Sequence, residues 1–181
     1  MKIKILKPIL TKILRKHGLN ANHALISVNA LINAELVGAY GHGLSRLKMY
    51  CDRIRKKVIN PKPNIKIKKI SQSISHIDAD NSIGFVAADL GIKLAINNAK
   101  KAGVGLVAVK NSGHYGLSGY YAEQAVKQNL ITMIYTNAPP AVAPYGALKS
   151  LFGTNPICFG APSGTKAPFI LDTSISMINR G

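Results

Sequence analysis

Two histidines and an arginine are the residues of this sequence whose types and settings suit acid–base chemistry. His114 sits in Asn111-Ser-Gly-His-Tyr-Gly116-Leu-Ser-Gly119, between a β-branched run and a helical pattern. An imidazole exchanges a proton near neutrality, its unperturbed pKa being about 6.5. Ligands collect at the C-terminal ends of strands in α/β sheets, and small residues let a backbone or a cofactor approach closely. The alternative is a loop histidine that is merely exposed or hydrogen-bonded. The second pair lies in Gly41-His42-Gly43-Leu-Ser-Arg46. An arginine four residues after a histidine, across a helix start, shares its face, and the guanidinium fork can hold a carboxylate through two parallel hydrogen bonds. That suits an anionic substrate, although an ordinary helix N-terminus with its arginine in solvent fits the same residues.

Three further segments, Thr136-Asn137-Ala-Pro139-Pro140, Gly153-Thr-Asn-Pro156 and Leu171-Asp172-Thr173-Ser174, carry amides or side-chain oxygens at the ends of short apolar runs. Such loops can meet a cofactor amide or ribose, or can be Asx and Ser/Thr turns that only close the backbone. Gly103-Val-Gly105-Leu-Val-Ala108 matches the G-x-G-x-x-G/A spelling of dinucleotide folds, but its context is reversed. A phosphate-binding turn follows a strand and opens a helix. These glycines follow a helix and lead into a strand, so they read as a tight helix-to-strand turn.

The elements that must position these residues follow from hydrophobic periodicity. Ile5, Ile9, Leu10, Ile13 and Leu14 recur at helical spacing until His17-Gly18. Asn20 can cap a second helix, with Ala24, Leu25, Val28, Leu31 and Ile32 on one side, ending near Gly38. A third is predicted from Leu44 to about Lys57. These three form an N-terminal helical segment over residues 1–60. Asn60-Pro-Lys-Pro63 breaks the pattern as a linker. Residues 61–181 then form an α/β domain. It has half-buried strands around Ile65 and Ile67 and around Ile74 and Ile77, a helix from Ile83 to Ala102, and a buried strand over Val104–Val109. A helix over Gly116–Gln128 and a strand over Leu130–Tyr135 follow. Beyond Thr136 the sequence reads as loops interrupted by short strands at Ile157–Phe159 and Phe169–Leu171.

Composition narrows the function classes. Hydrophobic residues make up 47% and charged residues 17%, which excludes a disordered chain. The start, Met1 to Pro8, alternates charge with apolar residues and lacks the continuous hydrophobic segment of a secretory signal, so a cytoplasmic setting is expected. Cys51 and Cys158 lie in no zinc or redox spacing and read as inert buried thiols, and no metal is expected. The net charge of +17 raises nucleic-acid binding as a competing class. Its lysines spread over the first seventy residues without the interleaved aromatics of a single-strand binding surface. Solvated faces explain them, and the same field attracts anionic substrates or dinucleotide phosphates.

In order, Gly-His-Gly-Leu-Ser-Arg-Leu with Tyr50, Val-Lys-Asn-Ser-Gly-His-Tyr-Gly, Thr-Asn-Ala-Pro-Pro-Ala-Val-Ala-Pro, Gly-Thr-Asn-Pro-Ile-Cys-Phe-Gly and Leu-Asp-Thr-Ser-Ile-Ser resemble the malate/L-lactate dehydrogenase family. The resemblance covers essentially the whole chain. It implies a helical N-terminal segment followed by a non-Rossmann mixed α/β nicotinamide-binding domain, here incomplete, and a homodimer. The implied reaction is reversible hydride transfer between NAD or NADP and a small 2-hydroxy or 2-oxo acid. By that resemblance His114 is the proton donor/acceptor on the substrate oxygen, and Arg46 the carboxylate clamp. His42 is a second polar group near the carbonyl and the nicotinamide, and Asp172, Thr173 and Ser174 contact the dinucleotide. Two departures stand out: Gly41 replaces the usual Ser before the first histidine, and Asp172-Thr-Ser-Ile175-Ser loses a Thr hydroxyl. Family members are also substantially longer, so the chain is expected to be C-terminally truncated. An inactive remnant, or a basic protein associated with nucleic acid, is the alternative.

Overall fold

A computed structural model describes residues 2–164 and 167–176. The described chain divides into two compact units, residues 1–117 and residues 118–181.

The first unit opens with α1 (Ile3–Lys16), which buries Leu10 and Leu14, and α2 (Ala21–Leu36). Asn20 caps α2 as its spelling predicts, its Oδ1 accepting the His23 N–H at 2.8 Å. Two short 3-10 turns, Tyr40–His42 and Leu44–Arg46, then lead into α3 (Leu47–Arg55). The third helix therefore starts three residues later than its periodicity predicts. Gly43 is the cause, because its φ of −96° and ψ of −139° interrupt any continuous helix between the two turns.

Asn60-Pro-Lys-Pro63 has no regular structure, as its prolines require. It is nevertheless tied down. Asp80 Oδ2 accepts from Asn60 Nδ2 at 2.9 Å and from the Asn64 N–H at 2.8 Å, and the Asn60 N–H donates to the Asn81 carbonyl. Residues 1–60 and the sheet that follows thus belong to one compact unit, and the position 60/61 falls inside it.

That sheet has the order β1 (Lys66–Lys69), β2 (Ile74–Ser82), β3 (Leu106–Ser112). β1 pairs antiparallel with β2, whereas β2 and β3 are parallel and joined through α4 (Gly84–Ala102). Ile77 and Ala79 of β2 pack on Ala87 of α4 at the centre of this layer, with Leu90, Leu94 and Val107 around them. The helix ends on Gly103, left-handed at φ +79°, whose N–H closes on the Ala99 carbonyl. A Cβ on Gly105 would lie 2.0 Å from the Ala95 carbonyl oxygen. Both glycines thus serve a tight helix-to-strand turn.

Two strand expectations need correction. The run at Val104–Val109 becomes a strand only from Leu106, extends to Ser112, and leaves nearly all its side chains exposed rather than buried. It lies at the edge of the three-stranded sheet, next to β2 alone, and α4 covers only one of its faces. β1 is exposed throughout, so Ile67 does not alternate inward as Ile77 and Ala79 do.

The second unit packs α5 (Ser118–Val126) on a sheet of β4 (Thr132–Tyr135), β5 (Ile157–Ala161) and β6 (Phe169–Thr173), all antiparallel with β5 in the middle. α5 starts two residues after Gly116 and stops two before Gln128. Tyr121, Ala122, Ala125 and Val126 form its buried face, and Cys158 of β5 is fully buried. Burial pushes the Cys158 thiol up to about 12, as an inert core cysteine requires. Among the described residues, no helix is long and apolar enough to cross a membrane.

Candidate active site

His114 follows β3 directly, and its loop is held against the start of α4. A Cβ on Gly84, the first residue of α4, would lie 2.2 Å from the Gly113 carbonyl oxygen and 2.4 Å from that of His114. Only glycine permits that approach. Gly116, at φ +84°, turns the loop away, and a Cβ there would meet Phe85 Cε1 at 2.8 Å. Phe85 is fully buried and packs on the buried Tyr50 ring at a centroid distance of 4.9 Å. Tyr50 comes up from α3, and its Oη lies 2.6 Å from His114 Nδ1. The same nitrogen accepts the Gly116 N–H at 3.2 Å.

His42 stacks on His114 with ring centroids 5.8 Å apart and an interplanar angle of 19°. His42 and Arg46 are not paired in the way their four-residue spacing predicts. The two do not share one helical face, since Gly43 separates them onto successive 3-10 turns. What holds this segment is a carboxylate: Glu35 Oε1 accepts the Leu44 N–H at 2.7 Å, and a Cβ on Gly43 would fall 2.2 Å from that oxygen. Arg46 Nε donates to the Gly41 carbonyl at 2.6 Å, which orients the guanidinium.

The electrostatics follow from this packing. Burial, reinforced by the charges of His42, Arg46 and Arg53, lowers the His114 pKa from 6.5 to about 4. Burial likewise raises the Tyr50 phenol well above its ordinary value, against the opposing pull of Arg46 and Arg53. At neutral pH the site is a neutral imidazole and a neutral phenol within a cationic surround. An anion placed there would be attracted by Arg46 and would find hydrogen-bonding rings beside it.

Three of the sequence-predicted residues, His42, Arg46 and His114, are thus brought together in the first unit. Asp172, Thr173 and Ser174 lie in the second. Asp172 Oδ2 accepts the Gly119 N–H at 2.7 Å in the first turn of α5, a favourable place for a carboxylate. Thr173 Oγ1 donates to the Ser174 carbonyl and Ser174 Oγ to that of Ser176. Asn155 Oδ1 accepts the Ala138 N–H, so in that segment the amide closes the backbone.

Tyr50, Glu35, Gly84 and Phe85 also shape the site, yet local pattern does not single them out. Two of them do carry a signal. Tyr50 stands four residues after Arg46, one helical turn on. Glu35 is an acid in the last turn of α2, where the helix dipole disfavours it, which hints at a tertiary partner.

Known proteins resemble the chain in sequence and in fold. L-sulfolactate dehydrogenase of Methanocaldococcus jannaschii is 40% identical over 175 residues, covering 97% of this chain and 51% of that protein. Malate dehydrogenase of Pyrococcus abyssi is 42% identical over 170 residues, covering 94% and 47%. The structure of malate dehydrogenase from Pyrococcus horikoshii OT3 superposes with a TM-score of 0.92 at 38% identity, covering 97% of this chain and 50% of that one. The chain therefore spans about half the length of the relatives it matches. The profile of one family matches all of residues 1–181, and the chain belongs to the malate/L-lactate dehydrogenase family.

Proposed function

We propose that this chain forms the part of an oxidoreductase that binds a small 2-hydroxy or 2-oxo acid and transfers hydride between it and NAD or NADP. The observation that carries the reading is the stacking of His42 on His114 in the field of Arg46, a setting built for a small anion with an oxygen to protonate. In it Arg46 clamps the substrate carboxylate, His114 gives or takes the proton on the substrate oxygen, and His42 lies beside the carbonyl and the nicotinamide.

Relatives named for NAD(+) and for NADP(+) support either cofactor. When bound, the nicotinamide supplies or accepts the hydride, while the protein orients the acid and handles one proton. Residues 172–174 fit such a group in part. Thr173 is exposed at the end of β6, and its hydroxyl and that of Ser174 suit ribose or amide groups. Asp172 serves by anchoring that strand end to α5. A homodimer and a cytoplasmic setting belong to the same reading.

The test uses the polypeptide extended to the length of its relatives, supplied with L-malate, L-lactate or L-sulfolactate and either cofactor, with reduced nicotinamide followed optically. Turnover is expected with at least one acid. His114→Ala should lower it by about 10²–10⁴-fold while NAD(P)H fluorescence still reports binding. Unchanged turnover in that variant would remove His114 from the mechanism.

A further inference from the structure

The hydrogen bonds around His114 determine more than its position. A backbone N–H can only donate, so the ring nitrogen that receives the Gly116 N–H at 3.2 Å is a lone-pair acceptor and carries no hydrogen. Tyr50 Oη lies 2.6 Å from the same nitrogen, and facing a bare lone pair the phenol must be the donor. Both donors converge on Nδ1, which leaves Nε2 to carry the proton of the neutral ring.

We propose that Tyr50 is a positioning residue that, together with the Gly116 N–H, holds His114 in the neutral tautomer protonated at Nε2, so that the imidazole meets a ligand oxygen as an N–H donor. The inference rests on the oxidoreductase reading only for what that ligand is. Toward a 2-oxo acid such a ring polarises the carbonyl through one hydrogen bond. If the Nε2 proton passes to the substrate oxygen, the Tyr50 proton must move to Nδ1, the phenol then regaining a proton from solvent. Toward a 2-hydroxy acid it has no lone pair to offer at Nε2 until its proton has moved, so accepting the hydroxyl proton requires a change at Nδ1 and hence at Tyr50. The groups facing the ring all oppose a positive charge there: His42 stacked on it, Arg46 and Arg53 through their fields, and Tyr50 with its proton directed at Nδ1.

The observation that tests this is the ¹⁵N spectrum of the histidine-labelled protein, with His114 assigned among the five histidines by loss of its signals in His114→Gln. In the wild type Nδ1 should resonate as an unprotonated, pyridine-type nitrogen and Nε2 as a protonated, pyrrole-type one from pH 8 to about 5, near the low end set by its depressed pKa. Tyr50→Phe keeps the ring that packs on Phe85 and removes one donor. Its His114 midpoint should rise by about one pH unit, the size of one hydrogen bond, with the Nδ1 signal moving toward the protonated type. A wild-type spectrum with the proton on Nδ1, or a Tyr50→Phe protein with tautomer and midpoint unchanged, overturns the proposal. Should Tyr50→Phe fail to fold, the wild-type spectrum alone decides. None of these signals depends on turnover, so a protein that oxidises no hydroxy acid yet shows the Nε2 tautomer would sink the functional reading and leave this one standing.

Discussion

The two histidines of the site are held in opposite ways. His114 is fixed by packing: a strand end, a helix start without a Cβ, and the buried pair Tyr50 and Phe85 enclose its loop. His42 rides on a short 3-10 turn whose neighbour is pinned by a single carboxylate, Glu35, reaching across from the end of α2. Packing carries desolvation with it, so the first arrangement tunes as well as places its imidazole. The second imidazole is positioned through the Leu44 N–H and Glu35. This division suits a site in which one ring must keep a defined protonation state while the other sits beside a ligand that comes and goes.

The packed support of His114 is most vulnerable at Gly84. Gly84→Ala drives a methyl into the backbone of Gly113 and His114, atoms that cannot rotate away. A stability loss of about 4 kcal/mol, above the usual range for overpacking, is expected in denaturant titration, with a turnover loss of about 100-fold in whatever folds.

Next comes the acid response of the packed histidine. Its folded pKa of about 4 lies below the unfolded value of 6.5, so its contribution is fully present above pH 6.5 and is lost as pH falls toward 4. Over that window the wild type should lose on the order of 3 kcal/mol more than His114→Gln. Parallel stability curves for the two proteins would show that His114 is not desolvated.

The smallest effect belongs to the carboxylate tether. Glu35→Ala leaves the Leu44 N–H without its acceptor and should cost about 2 kcal/mol, whereas Glu35→Gln, which retains an oxygen there, should cost less than about 1 kcal/mol. If the tether serves His42, Glu35→Ala also lowers kcat/KM about tenfold without moving the His114 midpoint. A shifted midpoint would mean that the two supports are coupled.

How much of this is legible in the residues depends on the range of the interaction. Asn20 as a cap and the glycines of the Gly103 turn are local, and the residues spell them out. Ile74 and Ile77, read as one alternating pair, instead stand three apart in β2, so Ile77 shares its inward face with Ser75 and Ala79. His114 stands out because its loop lies between a strand and a helix. The exposure of β3 cannot be read from a β-branched run, since burial depends on what covers a strand and not on what it contains. Nor can periodicity relate His42 to Arg46: it assumes a helix where Gly43 inserts a non-helical residue. The Tyr50–His114 bond joins positions 64 apart, and nothing in either local segment names the other.

One element sets the spacing of much of this. α4 begins where the His114 loop is received and ends where the return strand starts, so its 19 residues, about 28 Å of helix, must match the path from Gly103 back to Gly113. It works as a ruler laid against β3. Length changes during divergence are therefore tolerable in the Ser71–Ser73 turn, which is exposed or half-buried, but an insertion of one residue in α4 would rotate its far end by about 100° and misalign the glycine that receives the loop.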